Sequence, residues 1–284
     1  MSDTPINNRF TRPIRSFVKR EGKLTAGQQN AIDKLWPTQG VDLDSEKLDL
    51  EQLFGRRAPV VLEIGFGNGL SLADMAEAHA DMNFFGIEVH RPGVGSCLVQ
   101  AKKRELTNIR VSGDDAVLVL NQQIPDASLE RIQIFFPDPW HKKRHYKRRL
   151  IQPEFVQTLV RKLKVGGQMH VATDWQHYAE HVLAVLTTNK DLKNTVIDAP
   201  KASHFLSPEG DVLKDSQLWA EDVKPAEGFV SAQGSKTAEG AEPTKSPLLS
   251  QGMAEKPDYR PHTKYEARGI RLGHGVWDLV FEKK

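Results

Sequence analysis

The feature that most limits how this chain can fold is a regular alternation of short apolar runs with stretches of helical periodicity, beginning at Pro59. Val60-Val61-Leu62-Glu63-Ile64 is the first run, and it ends in glycines. A helical stretch, Leu70 to His79, comes next. Asn83-Phe84-Phe85-Gly86-Ile87-Glu88 is the second run, followed by a helix from roughly Gly93 to Leu106. Asn108 to Val111 is a third strand candidate and Arg131 to Phe136 a fourth. Gln152 to Leu163 reads as a helix that ends at Gly166-Gly167, before a fifth strand over Gln168 to Thr173. Gly275 to Glu282 reads as a closing strand. Short strands separated by helices of about 10–15 residues predict βαβ units and a parallel sheet.

Two regions lie outside this rhythm. Residues 1–24 carry Arg9, Arg12, Arg15, Lys19, Arg20 and Lys23 against only Asp3 and Glu21, which makes a basic N-terminal arm. From about 198 to 260 the periodicity fades into Ser, Ala, Gly, Pro, Glu and Lys. That composition buries too little apolar surface to offset ordering entropy, so a long irregular insertion is expected there. Residues 25–284 otherwise form one domain. It opens on a short helix, Thr25 to Trp36, with Thr25 as N-cap and Pro37 as stop.

Composition narrows the class of protein. Charged residues make up 27% of the chain, yet the net charge is only +2, so any polyanion surface must come from local clustering. The residues from Met1 to Phe10 are polar and unlike a secretory signal. No run approaches the roughly 18 apolar residues of a membrane span. The single cysteine, Cys97, excludes a disulfide within the chain and a cysteine-rich metal site. A reducing, cytoplasmic setting without membrane or metal fits best, and monomer and homodimer remain equally open.

The glycine loop Glu63-Ile64-Gly65-Phe66-Gly67-Asn68-Gly69 leaves the first strand and opens a helix. Glycines there let the backbone turn sharply and approach a ligand closely. A dinucleotide fingerprint is spaced G-x-G-x-x-G and wants a pyrophosphate at the helix N-terminus. Here the order is E-x-G-x-G-x-G, and the leading acid disfavours pyrophosphate while suiting a cationic ligand such as S-adenosylmethionine. Glu88 ends the second strand, where a carboxylate can accept both ribose hydroxyls. Asp114-Asp115 follow the third, where an acid can accept from an adenine amino group. Taken singly, each is equally a helix cap or a solvated turn. A nicotinamide-dependent oxidoreductase would explain Glu88 but not Glu63.

Phe136-Pro137-Asp138-Pro139-Trp140 leaves the fourth strand. Two prolines brace Asp138 in extended backbone, so it is the candidate catalytic residue. A purine ring nitrogen with a free in-plane lone pair has no proton to lose. Methylation there needs alignment and charge stabilisation, not a general base, and Asp138 is expected to position the base and offset its growing charge. Beyond it, Lys142, Lys143, Arg144, Lys147, Arg148 and Arg149 lie within eight residues, interleaved with His141, His145 and Tyr146. Cations clustered beside a reaction centre would hold a polyanion there. Trp140 and Tyr146 suit base stacking, although Trp140 fits the core equally well. A noncatalytic RNA-binding protein on the same fold is the rival reading, and four placed acids argue against it.

These residues match a known family. The chain resembles bacterial tRNA (guanine(46)-N7)-methyltransferases of the TrmB type at Gly22 to Gln28, Trp36-Pro37, Leu62 to Gly69, Gly86 to His90 and Phe136-Pro137-Asp138-Pro139-Trp140-His141-Lys142-Lys143. The resemblance resumes at Ala172-Thr173-Asp174, at Thr263-Lys264-Tyr265-Glu266-Ala267-Arg268-Gly269 and at Leu272 to Leu279. It implies a Rossmann-like class I methyltransferase fold, a seven-stranded, mostly parallel sheet with an antiparallel last strand. It implies S-adenosylmethionine as cofactor, contacted by Glu63, Gly65, Gly67, Glu88, Asp115 and Asp138, and tRNA as partner. It further implies that Lys142, Asp174, Thr263, Lys264, Tyr265 and Glu266 hold the substrate nucleotide, and that Arg144, His145, Tyr146, Lys147, Arg148 and Arg149 touch RNA. One departure stands out. The family usually reaches its Thr-Lys-aromatic-Glu segment by a connection shorter by roughly 40 residues, and a long surface insertion costs little closure entropy.

Overall fold

A computed structural model describes residues 22–207, 247–273 and 275–284. All of the basic arm except its last three residues, and the central part of the expected insertion, residues 208–246, lie outside them.

Seven strands form one sheet: β1 (Val60–Ile64), β2 (Asn83–Ile87), β3 (Ile109–Ser112), β4 (Leu129–Phe135), β5 (Leu163–Thr173), β6 (Leu192–Asn194) and β7 (Trp277–Lys283). Their order is β3-β2-β1-β4-β5-β7-β6, parallel except for β7, which runs antiparallel to both neighbours. The sheet is therefore the one expected, with its last strand reversed. Chain order runs outward from β1 through β2 to β3 in one direction and from β4 through β5 to β6 in the other, with β7 inserted between β5 and β6. A crevice consequently opens beyond the carboxyl ends of β1 and β4, where ligands of open α/β sheets bind.

The period-2 pattern of the strands decides what covers each face. Val60, Leu62 and Ile64 of β1, with Ile132 and Ile134 of β4, join a core with α5 (Ala116–Gln122), α6 (Pro153–Lys162) and α7 (Gln176–Thr188). Val61, with Phe84, Ile109 and Val111, packs on the other face against α3 (Leu70–Ala78), α4 (Arg91–Lys103) and α1 (Ala26–Gln39). A short α2 (Leu50–Phe54) precedes β1. Glu63 shares the face of Val61, so the strand pattern itself drives this carboxylate into the interior.

Two local expectations change. Thr25 does cap α1, in a reciprocal capping box with Gln28, but Pro37 lies inside the last turn and does not end the helix. The proline removes one i→i−4 bond and crowds the Asp33 carbonyl, yet the Gly40 N–H still closes the last turn on the Trp36 carbonyl at 2.8 Å. Gly166-Gly167 do not separate helix from strand either. They lie inside β5, where the register against β4 slips between Leu129 and Arg131. Gly166 takes φ 77°, and a Cβ on Gly167 would sit 3.1 Å from the Leu129 and Glu130 carbonyl oxygens. These glycines make a bulge.

The edges of the segment expected to be irregular are ordered. Ala202–His204 form a single 3-10 turn that seats Phe205 in the core. The helix α8 (Pro247–Gly252) buries Leu249. Ala254 then pairs with Asp278, and the chain continues into α9 (Lys264–Arg271).

Candidate active site

At the carboxyl ends of β1 and β4 lies a cleft of about 340 Å³. The glycine loop 63–68, Glu88 after β2, Asp115 after β3, Asp138 after β4 and the segment 262–265 leading into α9 all line it. Each of the four acids is held differently.

Glu63 is 2% exposed, and its Oε2 accepts from Gln133 Nε2 at 2.9 Å. Burial pushes its carboxyl up to about 7, with the Gln133 bond opposing the rise and Glu88 adding to it. Glu88 accepts from the Gly67 N–H and the His90 N–H, each at 2.8 Å, and so ties the glycine loop to the end of β2. Burial raises its carboxyl as well, while these backbone donors pull the other way. Asp115 caps α5 through the Val117 N–H at 2.9 Å. Asp138 is exposed at the cleft mouth.

The backbone around these acids is shaped for close approach. Gly65, Gly67 and Gly69 adopt φ of 78°, 60° and 72°. Beside Gly65 and Gly67 the space a Cβ would take is open, whereas at Gly69 it would fall 2.3 Å from Cys97 Cβ. The first two glycines thus keep room on the cleft side, and the third permits close packing of α3 on α4. The Asp138 loop is flanked by two left-handed residues, Phe136 at φ 51° and Trp140 at φ 46°, a conformation uncommon for large side chains.

Arg149, expected to touch RNA, is held inside the fold. It is 1% exposed, its Nε donates to the Pro139 carbonyl at 3.0 Å, and its guanidinium lies over the rings of Tyr146 and Tyr178 at 3.7 and 5.1 Å. It braces the Asp138 loop from beneath. Tyr146 consequently has one ring face occupied. The rest of the tract forms a 3-10 turn, Lys143–Arg148. Lys142, Lys143, Arg144 and Lys147 are exposed there, His145 and Arg148 half-buried, and Arg148 lies over Trp140 at 5.1 Å.

Glu266, expected to hold the substrate nucleotide, faces Arg260. It is 4% exposed and does not line the cleft, because both of its oxygens face Arg260, at 2.9 and 3.2 Å. It also completes a capping box with Thr263. Its contribution is to set the start of α9, while Thr263, Lys264 and Tyr265 reach the cleft wall. Lys142 and Asp174 do not line the cleft, and Asp174 is half-buried at the end of β5. The Tyr265 ring stacks on Phe136 at 6.2 Å, joining the α9 end to the Asp138 loop.

A buried polar row that sequence reasoning missed supports this wall. It crosses the sheet on the Glu63 face. Gln133 Oε1 accepts from Arg131 Nε at 3.3 Å, and the Arg131 guanidinium covers the Tyr259 ring at 3.6 Å. Tyr259 Oη lies 2.9 Å from His170 Nδ1, and His170 Nε2 lies 2.7 Å from Asp278 Oδ1. Burial lowers the His170 pKa, so the neutral ring accepts from Tyr259 and donates to Asp278. Arg260 Nε is 2.6 Å from the same Asp278 oxygen and bridges on to Glu266. Burial pushes the Asp278 carboxyl up, but His170 and Arg260 outweigh it and hold it low.

Comparison with known proteins fixes what this arrangement belongs to. The profile of a family described as "Putative methyltransferase" matches residues 57–225. The tRNA (guanine-N(7)-)-methyltransferase of Aeromonas hydrophila is 46% identical over 277 residues, spanning 98% of this chain and 95% of its own. The chain belongs to the tRNA (guanine-N(7)-)-methyltransferase family. Its counterpart in Serratia proteamaculans is 47% identical over 278 residues, again across 98% of this chain and 95% of the relative. A solved 30S ribosomal A1408 methyltransferase from an uncultured bacterium gives a TM-score of 0.42 at 13% identity, covering 84% of this chain and 96% of that one. No described helix is long and apolar enough to cross a membrane.

Proposed function

We propose that this chain transfers a methyl group from S-adenosylmethionine to N7 of guanine 46 in the variable loop of tRNA, in the cytoplasm. The observation that carries the reading is the convergence in one cleft of Glu63, Glu88, Asp115 and Asp138 with Thr263 to Tyr265.

The residues fit the donor. A buried carboxylate short of donors suits the ammonium of its methionine part, and the glycines at 65 and 67 leave space beside the loop. Glu88 would accept from the ribose hydroxyls and Asp115 from the adenine amino group. When bound, the donor supplies a methyl carbon on a sulfonium, which becomes a neutral thioether as the methyl departs. The acceptor N7 brings its own lone pair and loses no proton, so no side chain has to act as a base. The positive charge ends on the purine. Asp138, held at the mouth by its flanking left-handed residues and by Arg149 beneath, accepts from the guanine N1–H and amino group and offsets that charge. Thr263, Lys264 and Tyr265, with Lys142 and Asp174, hold the nucleotide. The exposed Lys142, Lys143, Arg144 and Lys147, with His145, Tyr146 and Arg148, engage the RNA.

The test is incubation with unmodified tRNA and labelled S-adenosylmethionine, followed by mass-spectrometric mapping. N7-methylguanosine at position 46 is expected. Methylation of an adenine, or of a guanine outside the variable loop, overturns the assignment.

A further inference from the structure

The helix α9 begins at the cleft wall and runs away from it. Its first turn supplies Lys264 and Tyr265 to the cleft, and Thr263 caps it. Helical spacing then sorts its side chains. Lys264, Arg268 and Arg271 stand at i, i+4 and i+7 and so share one stripe, and all three are exposed. Glu266 and Gly269 face inward. The helix's lone acid is thereby spent on Arg260, and none of the three cations has a carboxylate partner among the described residues. Tyr265 and Ile270 on the same element, and Leu272 at its C-terminal cap, remain 49%, 57% and 54% exposed.

This is not the usual solvated helix face, on which opposite charges alternate at i, i+4. It carries one sign of charge, adjoining exposed apolar and aromatic groups. It spans about 10 Å at 1.5 Å per residue, long enough to meet two successive phosphates of an RNA strand. Its orientation is fixed by the buried Arg260–Glu266–Asp278 bridge, so the stripe is a rigid element.

We infer that the Lys264–Arg268–Arg271 stripe is a second RNA-docking surface, which carries the substrate tRNA's backbone away from the cleft on a different element from the 142–148 tract. This rests on the reading of the chain as a tRNA methyltransferase. The occupant is a polyanion backbone, since the stripe offers charge and no fixed pattern of base-reading groups. Arg268 and Arg271 contact phosphates and take no part in methyl transfer.

The experiment measures tRNA binding against salt concentration for the full chain, for Arg268→Ala/Arg271→Ala and for Arg268→Lys/Arg271→Lys. Each lost phosphate contact removes about 0.7–0.9 from the slope of log K against log salt. The alanine pair is expected to lower that slope by about 1.5 and weaken tRNA binding roughly tenfold or more near 0.15 M salt. The lysine pair should restore most of both. Affinity for S-adenosylmethionine and the melting temperature should match the parent in both variants, which separates lost docking from lost folding. The KM for tRNA should rise while kcat at saturating tRNA stays within about twofold. An unchanged slope and affinity in the alanine pair, with the parent methylating tRNA, overturns the docking surface and leaves the functional reading intact. A parent that methylates no tRNA overturns both.

Discussion

Replacing Glu63 with glutamine isolates the energetic consequence of keeping an acid inside the sheet. The carboxyl is raised from 4.5 to about 7 by burial. A folded-state pKa above the unfolded one means that the native chain holds the extra proton between those values. The associated stability is therefore complete below about pH 4.5 and is lost as pH rises through about 7. At 1.36 kcal/mol per pKa unit, the full difference is about 3 kcal/mol, most of which falls between pH 5 and pH 8. Glu63→Gln keeps the shape and an acceptor for Gln133 but cannot ionise. Its unfolding free energy minus that of the parent should therefore become more favourable by about 2–3 kcal/mol from pH 5 to pH 8. Urea unfolding of both proteins at the two pH values measures this, and groups common to both cancel in the difference. The same variant should bind S-adenosylmethionine far more weakly at pH 8. A stability difference that is flat across this range would refute the assignment of a raised, desolvated carboxyl, whatever happened to binding.

Four further outcomes follow from the geometry. Asp138→Ala should lower kcat by about 10² or more, the usual loss on removing one charge-stabilising group, with an unchanged melting temperature because the side chain is exposed; single-turnover methylation of tRNA measures it. Arg260→Leu leaves Asp278 and Glu266 buried together without their cation, and should cost about 3–5 kcal/mol in urea unfolding. Gly69→Ala, which would drive a Cβ to within 2.3 Å of Cys97 Cβ, should fail to fold or melt far below the parent. Gly65→Ala meets open space and should cost only about 1–2 kcal/mol of backbone strain, detected as a small shift in calorimetry.

The sheet was legible because its strands are short apolar runs punctuated by glycine and by capping acids. What was not legible had a physical reason. The helix α7 buries Tyr178, Ala179, Val182, Leu183, Ala184, Val185 and Leu186, so it is apolar on most sides and shows no amphipathic stripe. In α5, Ala116-Val117-Leu118-Val119-Leu120 reads as readily as a strand, and only the Asp115 cap signals a helix. β6 has just three residues, too few for any period. In the site, the acids at strand ends could be read because each follows an apolar run. The row through Tyr259, His170, Asp278 and Arg260 could not, since Tyr259 meets His170 across 89 residues and His170 meets Asp278 across 108. The burial of Arg149 was hidden for the opposite reason. A charge run looks uniform in sequence, yet a turn points one member inward.

The four cleft acids form a series in how much of their charge the protein itself supports. Glu63, deepest, has one neutral amide donor, and its carboxyl rises to about 7. Glu88 has two backbone donors, Asp115 has one while half-buried, and Asp138 has solvent. Support from solvent thus grows toward the mouth, and the deep end is where a cationic ligand gains most by arriving. The strand register explains why that gain is available at all. Glu63 pairs with Gly86 on one side and Gln133 on the other, and Gln133 pairs with His170, so the register sets no charged side chain directly against the buried acid at neutral pH. The nearest cation on that face, Arg131, is turned toward Gln133 and the Tyr259 ring. Had the row set a lysine or arginine directly against Glu63, the carboxylate would be neutralised within the fold, and a cationic donor would have to compete with the protein for it.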